Sequence, residues 1–469
     1  MKTGMPLHYS SLAGVASAIA SGALSSEEVT RHTIERIGRL EPRLHAFAHL
    51  RADEALSEAK AADARKARGE ALGLLHGVLV AVKDLCAMAG TPTRAGGFFS
   101  TGFKPGDTAT VVLRLQKAGA IVIGKSQLTE GAWGTHHPGI LVPVNPWAPE
   151  HWSGSSSSGS GVSVAAGLAY GAIGTDTAGS IRFPSACNHL VGLKPTWGRV
   201  SRHGVFPLSD TLDHVGPMTR SVLDAALMFA AIAGADPLDP TSRDEPTDDW
   251  VGAARQGNLQ GVRIGVDPVY SLGGIDPQMT AALSAAIATL KGAGATIVEV
   301  HVPDVEAILE RAAAAAMVEA AVSHAKTYPS ERAKYSKVYS ALLDVGHATT
   351  ATSYAAVAIW RREFRGQLAR LFGHCDMLVA PVIPVAPMTV AAMKSMEGAP
   401  PLASAGFMRF TLPFNLAGVP SLTLPMGLSD EGAPLGFQLI GPELSEGTLL
   451  GAGAAFEAAS GFSERHPDL

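Results

Sequence analysis

Short apolar runs closed at both ends by turn residues recur along this chain, and between them apolar residues fall at helical spacing. A continuous apolar run marks a strand covered on both faces, because successive side chains point to opposite sides of a sheet. "GVLVAVKDL" (77–85) reads as such a strand ending at Lys83, and "TATVVLRLQKAGAIVIGK" (108–125) as a helix followed by another strand. "VSVAAGLAYGAIGTDTAGSIR" repeats the unit as a small-residue helix, a short strand and a glycine turn. Further helix and strand patterns stand at 220–234, 262–266, 276–301 and 376–380, with strands again at 420–424 and 435–440. This alternation predicts an α/β fold with a large mixed β-sheet covered by helices on both faces. Residues 25 to about 70 read as two helices, the first opened by Ser25 and Glu28 as a capping box. The alanine-rich region 304–372 reads as a helical layer beside the sheet, and 236–250 and 384–404 as loops. No fixed-period repeat interrupts the pattern, and the length suits two to four average domains or one large α/β domain with insertions.

Hydrophobic residues make up 46% and charged ones 17%, with 51 Gly and 30 Pro, which suits a buried sheet joined by tight turns and excludes a disordered or coiled-coil chain. The balance of 37 Lys+Arg against 42 Asp+Glu, without a basic run, argues against nucleic acid as a partner. Cys86, Cys187 and Cys375 lie far apart in no metal-ligand spacing, so free thiols in a reducing compartment are expected. "LAGVASAIASGAL" (12–24) has too much Ser and Gly for the apolar heart of a signal peptide, and the capping box follows it, so the segment is expected to fold. No apolar run reaches the roughly eighteen residues of a membrane span. The cytoplasm is the expected location.

"HWSGSSSSGSGVSVAAGL" (151–168) has the composition of a flexible linker. Its surroundings do not suit one. A helix of very small residues begins at once, and "GTDTAGSIRFPS" (174–185) follows within a few turns. Serines and glycines crowded at a helix start offer N–H groups and hydroxyls to an anionic centre, either a phosphate or a developing oxyanion. A phosphate loop needs a Lys after its glycines, and none is present. The strand-to-helix nucleophile elbow is matched only with a shift, in the wrong context.

"GSSSSGSGVSVAAGL" followed by "GTDTAGSIRFPSACNHLVGLKPTWGRVSRHGV" resembles the glycine- and serine-rich motif of the amidase signature family, in which G-G-S-S-G-G-S leads to G-T-D-x-G-G-S-I-R. "GVLVAVKDL" is similar to that family's lysine strand, "LDHVGPMTRSVLDAALM" (212–228) to the segment after the motif, and "FTLPFNLAGVPSLTLPMG" with "PLGFQLIGP" to its C-terminal strands. Nearly the whole chain is covered, most loosely at 300–375, so the resemblance implies a single domain over 1–469. The sequence departs from the pattern at Ser155, Ser158 and Ala178, where glycine is usual.

The resemblance implies a catalytic set of Lys83, Ser156 and Ser180, with Ser180 as nucleophile, Ser156 as proton relay and a cis peptide bond beside it. Lys83 would act as the base only when neutral, which calls for a desolvated pocket. The backbone N–H groups of Thr177, Ala178, Gly179 and Ser180 would form the oxyanion hole, with Ala178 the place to look for a geometric compromise. Asp176 and Arg182 are expected to pair as structural support of that loop. Trp133, Gly134, Ser155 and Phe410 are the expected substrate contacts, and Phe98, Phe99, Ile140, Leu141 and Met408 further apolar residues at the rim. Neither a cofactor nor a metal is implied, and His136 and His137 lack a third ligand at metal spacing. Asp213 and His214 invite a Ser–His–Asp set with Ser180, but adjacent residues on a strand point to opposite faces.

The implied activity is hydrolysis of a C–N bond in a small amide-like substrate: an aryl or alkyl amide, an anilide or a carbamate. One alternative is the glutamine-hydrolysing component of a tRNA-dependent amidotransferase, against which Phe407, Met408, Arg409 and Phe410 stand where an acidic residue would be expected. The other is a non-enzymatic scaffold that keeps only the fold. A homodimer is a family-level expectation.

Overall fold

The computed structural model describes residues 5–395 and 405–469. Eleven strands form one mixed sheet. They are β1 (Phe47–Leu50), β2 (Leu79–Lys83), β3 (Ile121–Ser126), β4 (Gly171–Asp176), β5 (Val191–Lys194) and β6 (His214–Thr219), followed by β7 (Arg263–Val266), β8 (Thr296–Glu299), β9 (Met377–Pro381), β10 (Ser421–Leu428) and β11 (Pro434–Ile440). Their order across the sheet is β1-β3-β2-β4-β6-β5-β10-β11-β9-β7-β8. β2 runs parallel to both β3 and β4, whereas β4 and β6, β10 and β11, and β11 and β9 pair antiparallel. Every residue of β2, β3, β4 and β6 is buried. Since alternate side chains face opposite sides, helices must cover both faces of the central sheet, as the apolar runs predict.

Most elements fall where the pattern places them. The capping box holds, with Glu28 N–H donating to Ser25 Oγ and Ser25 N–H to the Glu28 carboxylate. The segment 12–24 contains a helix, Leu12–Ser21, capped by Ser11. Region 304–372 is helical throughout its regular elements, led by Glu306–Ser323, Lys337–Ala348 and Ala351–Leu371. Three strands differ from the reading. β1 lies between the two helices of 25–70, and β5 and β6 carry Gly, Pro, His or Lys in place of an unbroken apolar run, so their strand character comes from pairing with neighbours. The loop expected at 384–404 contains a short helix, Val390–Ser395, and its remainder from 396 lies outside the described residues.

The serine-rich stretch is no linker. From Ser156 to Leu168 every residue is buried, and the helix Ser158–Ala165 packs on the sheet beside β2 and β4. The carboxyl ends of the parallel strands β2 and β4 therefore meet the start of this helix and the turn 177–181, at the edge where a doubly covered sheet leaves room for a ligand.

Candidate active site

Lys83 ends β2 with no exposed surface. Its Nζ donates to Ser156 Oγ at 2.7 Å and to Thr175 Oγ1 at 2.8 Å. Burial pulls the ammonium down to about 7, while the nearby carboxylates of Asp213 and Asp176 oppose the drop. Thr175 was not singled out by the sequence; it is the penultimate residue of β4, and the parallel pairing of β4 with β2 brings it alongside Lys83. Ser156 is preceded by a cis peptide bond from Ser155. Its carbonyl accepts from Thr129 N–H, and the next amide, Ser157 N–H, donates to the carbonyl of Ser180 at 3.3 Å, which ties the two serine loops together. Ser157 itself turns inward, its hydroxyl donating to Thr175 O at 3.2 Å.

Ser180 follows β4 in the turn Asp176–Ile181. It is 9% exposed, and among the described residues its hydroxyl bonds to no protein group. The Asp176 carboxylate organises the turn. It accepts from Gly179 N–H at 2.8 Å, from Ile181 N–H at 3.1 Å, and from Arg182 Nε and Nη2 at 3.0 Å each. Burial would raise this carboxyl, but the Arg182 guanidinium and the Asn415 amide overcome it and hold it well below the usual carboxylate range. Arg182 in turn reaches Gln438 Oε1, Thr411 O and Asn415 Oδ1, all buried. The pair supports the loop, as the sequence suggests.

Gly179 departs from the expected oxyanion hole, because its N–H is consumed by Asp176. Among the described residues, the N–H groups of Thr177, Ala178 and Ser180 donate to no protein acceptor, although these residues are 2%, 4% and 9% exposed. Buried backbone donors are almost always paired, so unpaired amides converging on one turn mark a place built for an acceptor. The Ala178 departure from glycine is absorbed without backbone strain. Gly179, not Ala178, takes the positive φ of 132°, and a Cβ there would sit 2.5 Å from the Phe183 ring.

Of the expected substrate contacts, Ser155 and Trp133 are partly exposed, and Trp133 packs against an apolar cluster built largely from the helical layer. Gly134 is exposed. Phe410 does not belong with them. It is fully buried in a cluster with Phe364 and Phe414, edge-on to Tyr270 and beneath the Arg409 guanidinium at 4.4 Å. The turn at 405–411 instead leaves Phe407 half-buried, packed 5.8 Å from both Trp152 and Phe183, and Phe183 lies against Gly179. Trp152, Phe183 and Phe407 thus form an apolar wall beside the turn, which their separation in sequence concealed. Phe99 is core, stacked on Tyr335, and Phe98, Ile140 and Leu141 line a cavity of about 570 Å³ against β1 whose walls include none of Lys83, Ser156 and Ser180. His136 Nε2 meets Ser158 Oγ at 2.9 Å, and burial lowers this imidazole to about 4.

The Ser–His–Asp arrangement fails on geometry. His214 directs Nδ1 at Leu212 O, 2.6 Å away, and Asp213 instead accepts from Thr177 Oγ1. Among the described residues no group of three or more His, Cys, Asp and Glu side chains is set to hold a metal, and no helix is long and apolar enough to cross a membrane. Cys86, Cys187 and Cys375 are free and buried.

The model of the amidase family matches residues 28–450. The chain is 43% identical over 458 residues to the putative amidase AmiD of Mycobacterium tuberculosis, covering 98% of this chain and 96% of that one. It is 38% identical to a component of the glutamyl-tRNA(Gln) amidotransferase of Chloroflexus aggregans, over 99% of both chains. A bacterial aryl acylamidase of the amidase signature enzymes shares the fold with a TM-score of 0.86 at 26% identity, over 98% of both chains. With a family model spanning nearly its whole length and relatives of this identity end to end, the chain belongs to the amidase signature family of C–N hydrolases.

Proposed function

We propose that the protein hydrolyses an aryl or alkyl amide, an anilide or a carbamate through Lys83, Ser156 and an acyl-enzyme on Ser180. The observation that carries this reading is a fully buried lysine, drawn down to about 7, within 2.7 Å of the Ser156 hydroxyl. A neutral amine there turns its lone pair to the Ser156 proton, and Ser156 takes the proton of Ser180 as Ser180 Oγ attacks the carbonyl carbon. The carbonyl π pair moves to oxygen. The resulting oxyanion accepts from the N–H groups of Thr177, Ala178 and Ser180, each donor being worth about 10²-fold or more in rate. Collapse breaks the C–N bond, and the leaving nitrogen takes the proton that Lys83 returns through Ser156. Water then repeats the sequence on the acyl-enzyme, giving its proton to the same relay. Ser180 recovers its proton from that relay, and the carboxylic acid departs.

The wall of Trp152, Phe183 and Phe407 beside the turn favours an apolar acyl or aryl group. The amidotransferase reading lacks a comparable feature, since Arg409 is occupied with Tyr270 O at 2.9 Å and Gly273 O at 2.8 Å and offers no free charge to an amino acid. Labelling with a fluorophosphonate followed by peptide mapping tests the nucleophile: Ser180 is modified in the wild type, and Ser180→Ala loses both label and turnover. Retained turnover in Ser180→Ala refutes the mechanism. A panel of acetanilide, a phenylcarbamate, benzamide, a long-chain amide and glutamine tests the substrate class, and cleavage of glutamine alone overturns the aryl or alkyl preference.

A further inference from the structure

The turn that carries the unpaired amides is pinned at several points, the Ser180 carbonyl by Ser157 N–H among them, and one comes from outside the two serine motifs and the C-terminal segment. Gly179 N–H is held by Asp176, and the Ala178 carbonyl accepts from Thr411 Oγ1 at 2.5 Å. The remaining residue, Thr177, donates its hydroxyl to Asp213 Oδ1 at 2.5 Å. We infer that Asp213 is a positioning residue for the oxyanion turn, acting through the Thr177 side chain. The inference rests on the proposed function of that turn.

The Asp213 carboxylate has no freedom to follow a moving turn. Its Oδ2 accepts from Leu208 N–H at 2.9 Å and from Ser209 N–H at 3.1 Å, and its own N–H returns to Ser209 O at 2.8 Å. This closed loop is fastened from the other side by Glu319 of the helical layer, whose carboxylate accepts from Ser209 Oγ, Thr211 N–H and Thr211 Oγ1, each at 2.8 Å. Arg361 adds a bond to Thr211 O at 3.0 Å. Asp213 therefore stands on a rigid bracket joined to the helical layer and presents one oxygen to Thr177. Thr177 N–H is the first of the three unpaired donors, and a rotation about Thr177 would carry it off the carbonyl it must meet. Asp213 is 9% exposed, and one of its oxygens holds its own loop while the other is given to Thr177.

Fluorophosphonate is the probe, because its phosphoryl oxygen occupies an oxyanion hole whatever the natural amide. Rates of Ser180 modification are measured well above pH 7, so that Lys83 is neutral in every variant and the field of Asp213 on it drops out. Thr177→Val, close in shape to threonine, is expected to lower the maximal rate of modification about 10- to 100-fold with the half-saturating probe concentration within about twofold of wild type. Thr177→Ser, which keeps the hydroxyl, is expected to restore the rate. Asp213→Ala is expected to fall like Thr177→Val, and the double variant to fall no further than the lower single one, since both remove the same contact. Thermal melting of each variant identifies one that has failed to fold, and Thr177→Val with Thr177→Ser then decides alone. A wild-type rate in Thr177→Val, or multiplied losses in the double variant, overturns the inference. If the wild type itself is not labelled at Ser180, the proposed function has failed instead, and the two outcomes are distinct.

Discussion

Lys83 is the residue on which the proposed chemistry turns. With its neutral form as the proposed base and burial lowering it to about 7, kcat/KM is expected to rise with pH through about 7 and to level off above it. A flat profile between pH 6 and 8 would mean that no group of this kind limits the reaction. Ser156→Ala removes the hydroxyl that Lys83 Nζ meets at 2.7 Å, and should lower kcat about 10²- to 10⁴-fold while leaving substrate affinity close to wild type, read by steady-state kinetics. The family resemblance pointed to Lys83, Ser156 and Ser180 as a set, and the fold brings Lys83 to within 2.7 Å of Ser156 and joins the loops of Ser156 and Ser180. Thr175 was not legible in the sequence, because a threonine inside a strand is ordinarily only a β-former, and its bond to Lys83 arises from the parallel pairing of β2 with β4. Phe410 was misplaced for the opposite reason. Its neighbours in sequence resemble a pocket rim, and the fold turns Phe407 outward in its stead.

At the scale of elements, the helix Ser158–Ala165 and the turn 177–181 have to approach within contact distance of one another and of the sheet. Gly154 shows how closely. It sits at φ 81°, and a Cβ there would lie 2.4 Å from Pro184 Cα on the segment after Ser180. Gly154→Ala combines a left-handed backbone penalty with a backbone clash and should destabilise the protein by about 2 kcal/mol or more, measured by urea denaturation, with loss of Ser180 labelling from the displaced serine loop. The composition of 151–168 resembled a linker because serine and glycine serve both uses. What separates them is burial, and the buried serines of this stretch are bonded, as Ser160 with Ser126 at 2.7 Å and with Ile173 O at 3.0 Å shows.

For the whole molecule, the proposed base carries a thermodynamic cost. Lys83 is charged in the unfolded chain up to about pH 10.5 and neutral in the fold above about 7, so the unfolded state binds the extra proton between those values and stability rises with pH across the window. Lys83→Met is therefore expected to be inactive yet more stable than wild type at pH 7 and below, with the difference shrinking towards pH 10.5, as compared by denaturant midpoints. An unchanged or lower midpoint for Lys83→Met at pH 7 would show that the lysine is not strained by burial. The sequence alone determined the alternation of helices and buried strands and the cap at Ser25, because each is written in spacing and residue type over a few turns of chain, and its motifs carried the resemblance to the family and with it the set Lys83, Ser156 and Ser180. Tertiary structure decided which amides stay unpaired around Ser180, that Asp213 meets Thr177 rather than His214, and that Trp152, Phe183 and Phe407 share one wall. Those depend on contacts between segments tens to hundreds of residues apart, and no local pattern encodes a distance across a sheet.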